Sequence, residues 1–239
     1  MSRILALDTS SDACSVALLT DNSVDERFSQ VPREHTKRLL PMVDEILADH
    51  QLTLSQIDAI AFGRGPGSFT GLRICLGVVQ GLAFGADLPV IPVSTLQAMA
   101  VGAQLQHGFS TQDRILVALD ARMNEVYWCE YEVLPMNETA QLKPITDEFV
   151  MAPEAVAENI SALPAGAKRH AIGPGWHYPE LAEIETASQD LEACPHAADI
   201  VRLAQPLLAA GEVVSALDAQ PVYLRDTVAW KKRQRFRQS

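Results

Sequence analysis

A short internal repeat constrains the fold more than any other feature of this sequence. Residues 3–8 (Arg-Ile-Leu-Ala-Leu-Asp) recur almost half a chain later as residues 114–120 (Arg-Ile-Leu-Val-Ala-Leu-Asp). Each copy has the pattern of a buried strand that ends in an aspartate, turns, and enters a second strand. Chance likeness of two strands is the alternative, but the spacing favours an internal duplication. The repeat therefore predicts an α/β protein with two related lobes.

Turn and helix signals place the predicted boundaries. A break near the sequence Gln-His-Gly at 106–108 separates an N-terminal lobe, residues 1–106, from a second, reduced lobe, residues 107–224. Residues 225–239 form a tail with six basic residues and one acidic residue, in a chain whose net charge is −11. The predicted strands are 4–8, 13–19, 23–30, 57–62, 89–93, 114–120, 125–131 and 168–172. The predicted helices are 34–49 (kinked at Pro41 or starting later), 69–85, one capped by Ser94, 153–161 and 196–210.

Composition narrows the class of protein. The acidic body argues against extensive direct binding of nucleic acid, which needs a basic face. The basic tail is consistent with two alternatives: it is a solvated terminus, or it contacts RNA or an acidic partner. The sequence indicates no signal peptide and no apolar run of membrane-spanning length. The four cysteines do not have the spacing of a metal site, and we expect them to be reduced thiols. Together these features predict a cytoplasmic protein that does not contact a membrane.

The turn after the first repeat strand is one candidate site. Asp8 is followed by Thr9, Ser10 and Ser11, whose hydroxyl and backbone N–H groups can face an anion while the aspartate orients a metal-bound water. Actin-like and sugar-kinase ATPases hold phosphate in this way, and Asp120 is the counterpart in the second copy. Such loops usually carry a glycine for close approach to phosphate, and neither turn has one. We expect both turns to be vestigial phosphate loops.

The stretch 63–71 (Gly-Arg-Gly-Pro-Gly-Ser-Phe-Thr-Gly) is the most distinctive part of the chain. A glycine-rich loop that opens a helix can cradle an anion. This one lacks both the Gly-Lys-Ser/Thr end of a P-loop and the spacing of a dinucleotide site. Its glycines equally suit a tight turn from strand to helix, and the sequence favours that alternative.

The helix after this loop predicts a partner surface. It is apolar on nearly every side, and Gly77, Gly81 and Gly85 form a ridge of small residues, so one side can face its own sheet and another a second subunit. Burial entirely within one lobe is the alternative. The helix at 34–49 would enlarge the surface, with His35 exposed at its polar start. The residues predicted to line it are Leu39, Leu40, Val43, Ile46, Leu47, Leu72, Cys75, Gly77, Val78, Gly81 and Leu82.

Recognisable catalytic groups are few. No two of the six histidines are three to five residues apart, so no helical histidine pair is available for a metal. There is no Gly-x-Ser-x-Gly elbow of a serine hydrolase. A cysteine–histidine pair brought together by the fold stays open. We expect no cofactor and no metal.

Four segments together resemble the TsaB (YeaZ) family. They are residues 4–10 (Ile-Leu-Ala-Leu-Asp-Thr-Ser), 33–36 (Arg-Glu-His-Thr), 63–73 (the glycine loop continued by Leu-Arg) and 221–225 (Pro-Val-Tyr-Leu-Arg). The resemblance spans nearly the whole chain, and the glycine loop is its most specific part.

The resemblance implies a duplicated actin-like fold and a role in making threonylcarbamoyladenosine beside the anticodon of tRNAs that read codons starting with A. It implies a non-catalytic relative of TsaD, the transferase subunit, that pairs with TsaD, is joined by the small ATPase TsaE, and meets tRNA only within the complex. The same helices are implied to support a homodimer.

The chain departs from TsaD where TsaD binds its metal. TsaD-like sequences carry His-Met-Glu-Gly-His after a Pro-Val strand end, whereas Thr95 and Met99 stand at the ligand positions here. A hydroxyl and a thioether suit a divalent ion poorly. The Gly-Gly loop of the second half of TsaD is replaced by Ala-Arg-Met-Asn at 121–124. Two rival functions stay open: an ATP-dependent kinase or carbamoyltransferase using Asp8 and Asp120, and a metallopeptidase-like protein.

Overall fold

The computed structural model describes residues 2–21, 23–30, 32–135 and 142–225. Within these ranges each copy of the repeat opens its own sheet. The strands are β1 (Ile4–Asp8), β2 (Ala13–Thr20), β3 (Ser23–Gln30), β4 (Ala59–Gly65), β5 (Val90–Ser94), β6 (Arg114–Arg122), β7 (Glu125–Val133), β8 (Leu142–Pro144), β9 (Phe149–Met151), β10 (Arg169–Ile172) and β11 (Ser188–Asp190). The helices are α1 (His35–Asp49), α2 (Phe69–Ala86), α3 (Thr95–His107), α4 (Pro153–Asn159) and α5 (Ala197–Ala210). The predicted basic tail lies outside the described residues, apart from Arg225.

The first sheet has the strand order β3-β2-β1-β4-β5. β1 pairs with β2 in antiparallel fashion and with β4 in parallel. Every residue of β1 is buried, as expected for a central strand covered on both faces. α1 and α2 pack on one face of this sheet, and α5 packs on the other.

The second sheet repeats this hairpin. Its path is β11-β10-β6-β7-β8, with β9 also paired to β7. β6 and β7 are antiparallel, and β6 and β10 are parallel. The two copies of the repeat thus hold equivalent places in two sheets.

Helix packing does not follow the predicted boundary at residue 107. α3, which precedes the boundary, supplies Leu96 and Met99 to the core of the second sheet. α5 comes from the second half of the chain, yet Ile200 and Val201 pack against the first sheet. Each lobe is therefore completed by a helix from the other half of the chain, a relation that the local sequence pattern does not encode.

Several local predictions need correction. α1 begins at His35 and continues through Pro41, so the later start is wrong. His35 is buried rather than exposed, because its ring Nε2 lies 3.2 Å from the Ala13 carbonyl oxygen. β4 extends to Gly65, into the glycine loop, because the loop still pairs with β5.

By length and composition alone, α2 is the single helix in the described ranges that could cross a membrane. The sequence predicts no such segment, because Arg73 and Gln80 interrupt the apolar residues of this helix. Its inner side nevertheless contributes Cys75 and Val79 to the core under α1. The apolar composition of α2 thus has two sources: one side of the helix packs in the core, and the other is apolar but exposed.

Candidate functional site

The polar groups of the turn after β1 form hydrogen bonds with one another. Asp8 Oδ1 accepts hydrogen bonds from both the backbone N–H and the hydroxyl of Ser10, each at 2.9 Å. Asp8 Oδ2 is buried without a hydrogen-bond partner. Burial raises the pKa of Asp8 from 3.8 to about 6, against the lowering effect of the Ser10 hydrogen bonds. Ser11 faces its own strand, accepting from the Ala13 N–H at 3.1 Å.

The glycine loop seals this turn from the other side. The Ser68 N–H donates to the Ser10 carbonyl at 2.7 Å, and the Thr9 hydroxyl donates to the Gly71 carbonyl at 2.8 Å. A Cβ on Gly71 would lie 1.9 Å from the Thr9 carbonyl oxygen, and one on Gly63 would lie 1.9 Å from Asp8 Oδ2. The loop glycines are therefore needed for the close approach of two backbone segments, as the tight-turn alternative predicts. The backbone of the glycine loop, which could otherwise bind a phosphate, instead packs against the turn at Thr9 and Ser10.

The second turn is occupied in a different way. Asp120 accepts from the Arg122 N–H and from the Arg122 guanidinium, both at 2.8 Å, and from the Tyr178 hydroxyl at 3.0 Å. Arg225 reaches the same hairpin, where its guanidinium donates to the Ala121 carbonyl at 3.2 Å and pairs with Glu125. Asp8 is the last residue of β1, whereas Asp120 lies two residues before the end of β6, where the pairing with β7 is irregular. Each carboxylate accepts hydrogen bonds from neighbouring protein groups.

The residues predicted to line a partner surface divide into two sets. Six of them are buried in the protein's own core and face no partner. They are Leu39, Val43, Ile46, Leu47, Leu72 and Cys75. This corrects their assignment, because the apolar stripe of α1 and the inner side of α2 pack on the first sheet. The other five are exposed or half-buried. They are Leu40, Gly77, Val78, Gly81 and Leu82.

These five residues lie in one groove between α1 and α2, which we call the α1–α2 groove. Its volume is about 520 Å³, and Thr36, Arg73 and Ile74 complete its lining. The Leu40 side chain is 45% exposed on its rim. A Cβ on Gly77 or Gly81 would meet no described atom within 4 Å, so no contact in the described part of the chain requires glycine at these positions.

Comparison with known proteins identifies the family. The family model described as "TsaD: tRNA N6-adenosine threonylcarbamoyltransferase" matches residues 29–168. The chain is 46% identical over 233 residues to the tRNA threonylcarbamoyladenosine biosynthesis protein TsaB of Escherichia coli (strain K12), covering 96% of this chain and 97% of that protein. The chain belongs to the TsaB family.

Further relatives agree with this assignment. TsaB of Haemophilus influenzae is 45% identical, with 96% of each chain covered. The solved structure of YeaZ from Pseudomonas aeruginosa superposes with a TM-score of 0.84 at 43% identity, covering 94% of this chain and all of that one. The predicted two-lobed actin-like α/β fold is confirmed by this likeness.

In this TsaB-family chain the positions compared with TsaD metal ligands are part of the interior. Thr95 is fully buried with an unpartnered hydroxyl, and Met99 packs in the core of the second sheet. Among residues 2–21, 23–30, 32–135 and 142–225, no group of three or more histidine, cysteine or acidic side chains is arranged to hold a metal.

The segment 221–225 carries contacts that sequence reasoning missed. The Val222 N–H donates to the Arg64 carbonyl at 2.7 Å, and the Tyr223 ring lies 5.3 Å from that of Phe69 at the start of α2. Arg225 then contacts the β6–β7 hairpin of the second sheet. The segment thereby ties the glycine loop to the second lobe. Its only signal in the sequence is the family resemblance, because the contacts join residues more than one hundred positions apart.

Proposed function

We propose that this protein takes part in threonylcarbamoyladenosine formation in tRNA as a non-catalytic subunit that presents the α1–α2 groove to a TsaD-like transferase subunit. The names of the Escherichia coli and Haemophilus influenzae relatives support the pathway. The groove supports the mode of action, and it is the observation that carries the proposal.

The groove has the properties of a helix-packing surface. It is apolar, concave and open, and its small residues allow the backbone of another helix to approach closely. Leu40 and Leu82 on its two helices offer apolar contacts, and Arg73 supplies one cation at its end. The occupant we propose is a helix pair of similar apolar character on a TsaD-like chain, or in its absence on a second copy of this chain.

The closed turns support a non-catalytic role. At the first turn, the groups that would contact a phosphate already bond to the glycine loop through Thr9 and Ser10. At the second, Arg122 and Arg225 neutralise the site from within the protein. A TsaE-like ATPase would then supply nucleotide chemistry to the complex, tRNA would bind only when the subunits are assembled, and the complex would be cytoplasmic.

The test is co-purification with the TsaD-like protein of the same organism. Gly77→Leu combined with Gly81→Leu adds two leucine side chains at the groove, where the Cβ atoms would meet no described atom within 4 Å. We expect this double variant to lose association at micromolar concentrations and to lose tRNA modification in the reconstituted mixture. Ala209→Leu with Ala210→Leu is the matched control, because it also creates two leucines, at exposed positions on α5 across the first sheet.

Unchanged association of the groove variant would contradict the proposed surface. The rival functions have their own readouts. Micromolar binding of Mg-ATP to the isolated chain, lost in Asp8→Asn, would support a kinase or carbamoyltransferase. Stoichiometric zinc or iron in the purified protein would support a metallopeptidase-like activity.

A further inference from the structure

A second cavity lies on the opposite side of the first sheet from the α1–α2 groove. This cleft has a volume of about 600 Å³ and is bounded by α3, α5 and the segment after β11. One wall carries Cys194 and His196, and Glu26 reaches the same wall from β3. Cys194 Sγ lies 3.8 Å from His196 Nε2, and His196 Nδ1 lies 3.0 Å from Glu26 Oε2. The proposed function uses none of these residues.

The histidine is held in place from several sides. Its ring stacks on Phe28 with 4.3 Å between centroids and 12° between planes. Glu26 is fixed in turn, because its second oxygen accepts from the Ala198 N–H at the start of α5 at 3.0 Å. The hydrogen bonds with Cys194 and Glu26 raise the pKa of His196 to about 10. The ring is therefore protonated at neutral pH, with one N–H directed at the carboxylate and the other at the sulfur.

The charged residues around the His196 ring also favour its protonated form. Asp8 on β1 and Asp199 on α5 both interact electrostatically with His196, and negative charge on them stabilises the imidazolium. Arg202 opposes this effect only in part, because it pairs with Asp199 at 2.9 Å. An imidazolium beside a thiol stabilises the thiolate, which is the nucleophilic form of cysteine.

We propose that Cys194 is a reactive thiol that the cleft exposes to small disulfides, and that it is a site of reversible S-thiolation. Cys194 is half-buried on the cleft wall, whereas the other three cysteines are buried in the cores. Burial raises the pKa values of Cys14 and Cys129 to about 11, and that of Cys75 rises well above its ordinary value. Those three thiols stay protonated and covered in the folded protein.

The reaction is a thiol–disulfide exchange. The Cys194 thiolate attacks one sulfur of the small disulfide, a new S–S bond forms to Cys194, and the original S–S bond breaks. One half of the disulfide leaves as a thiolate, which takes the proton that Cys194 has given up. The disulfide is the oxidant, since that half is reduced to a thiol. The bound half would occupy the cleft between α3 and the segment after β11.

The first test uses the unmodified protein and iodoacetamide, with mass spectrometry to locate and time the label. We expect one label per folded chain, on Cys194. We expect this label to form at least about tenfold faster than a label on any of the other three cysteines, because those thiols are buried in the cores. Labelling of a buried cysteine before Cys194 would overturn the proposal.

Variants then test the roles of the neighbouring groups. His196→Gln and Glu26→Gln remove the charge of one partner each, and we expect labelling of Cys194 to slow about tenfold or more in both. His50→Gln is the matched control, because His50 forms a similar histidine–carboxylate pair with Asp25 at 3.1 Å. Thermal unfolding followed by circular dichroism identifies variants that do not fold; the order in which the cysteines of the unmodified protein are labelled needs no variant.

The disulfide itself is tested with oxidised glutathione. We expect a mixed disulfide on Cys194 that dithiothreitol removes, and none on Cys194→Ser. Labelling of the buried cysteines at the same rate as Cys194, or failure of oxidised glutathione to modify a chain that iodoacetamide labels, would count against the proposed site.

Discussion

The contact between the glycine loop and the β1 turn makes a quantitative prediction for Gly71→Ala. The added Cβ would lie 1.9 Å from the Thr9 carbonyl oxygen, whereas ordinary contacts begin near 3.4 Å. The two backbone segments would have to separate by about 1.5 Å. Overpacking of this kind costs about 1–3 kcal/mol. Separation would also lengthen the Thr9–Gly71 and Ser10–Ser68 hydrogen bonds, each worth about 1 kcal/mol.

The better helix propensity of alanine returns about 1 kcal/mol of this cost, so we expect the free energy of unfolding to fall by about 2–4 kcal/mol. Urea denaturation followed by tryptophan fluorescence measures the change. Gly77→Ala is the control, because it lies in the same helix with no atom within 4 Å of the new Cβ. It should gain about 0.5–1 kcal/mol from propensity alone. Equal stabilities of the two variants would refute the close-approach argument.

Three further predictions concern the two turns and the groove. At pH 7.5, Asp8→Asn should stabilise the protein by about 1–3 kcal/mol in urea denaturation, because burial raises the Asp8 pKa from 3.8 to about 6 and ionisation opposes folding above that pH. Stability from Asp8 falls as the pH rises from about 4 to 6, so the gain should vanish near pH 4; a gain independent of pH would contradict this cause. Arg225→Ala should cost about 1–2 kcal/mol by removing the pairing with Glu125, and should speed hydrogen exchange in the β6–β7 hairpin, whereas Arg225→Lys should cost less. Leu40→Asp should change the free energy of unfolding by less than about 0.5 kcal/mol, since Leu40 is 45% exposed. The same change should weaken association with the TsaD-like partner in sedimentation equilibrium. A large loss of stability would instead place Leu40 in the core.

Local sequence patterns predict most of the elements that form the site. The apolar runs that end in Asp8 and Asp120 give two equivalent strands, and the glycine spacing at 63–71 gives a tight entry into α2. These features depend on backbone geometry and on neighbours within a few residues, which the sequence shows directly.

The division between core and surface could not be predicted in the same way. The period of α1 identifies an apolar stripe but not what the stripe faces. The sequence therefore predicts Leu39 and Ile46 at a partner surface, whereas they pack on the first sheet. The burial of His35 could not be predicted for the same reason. Its contact is with Ala13 on β2, whereas its neighbours in sequence are charged. The cluster of Glu26 and His196 joins residues 170 positions apart, and no local pattern reports such a contact.

The position of α5 has a consequence for the order in which this protein can be completed during synthesis. One face of β1 and β4 is covered by α5 (Ala197–Ala210), which is made more than 100 residues after β5 (Val90–Ser94), the last strand of the first sheet. A nascent chain ending near residue 106 would expose Ile4, Ala6 and Ala61 to water. The strands of the first sheet are therefore made well before the helix that covers one of their faces.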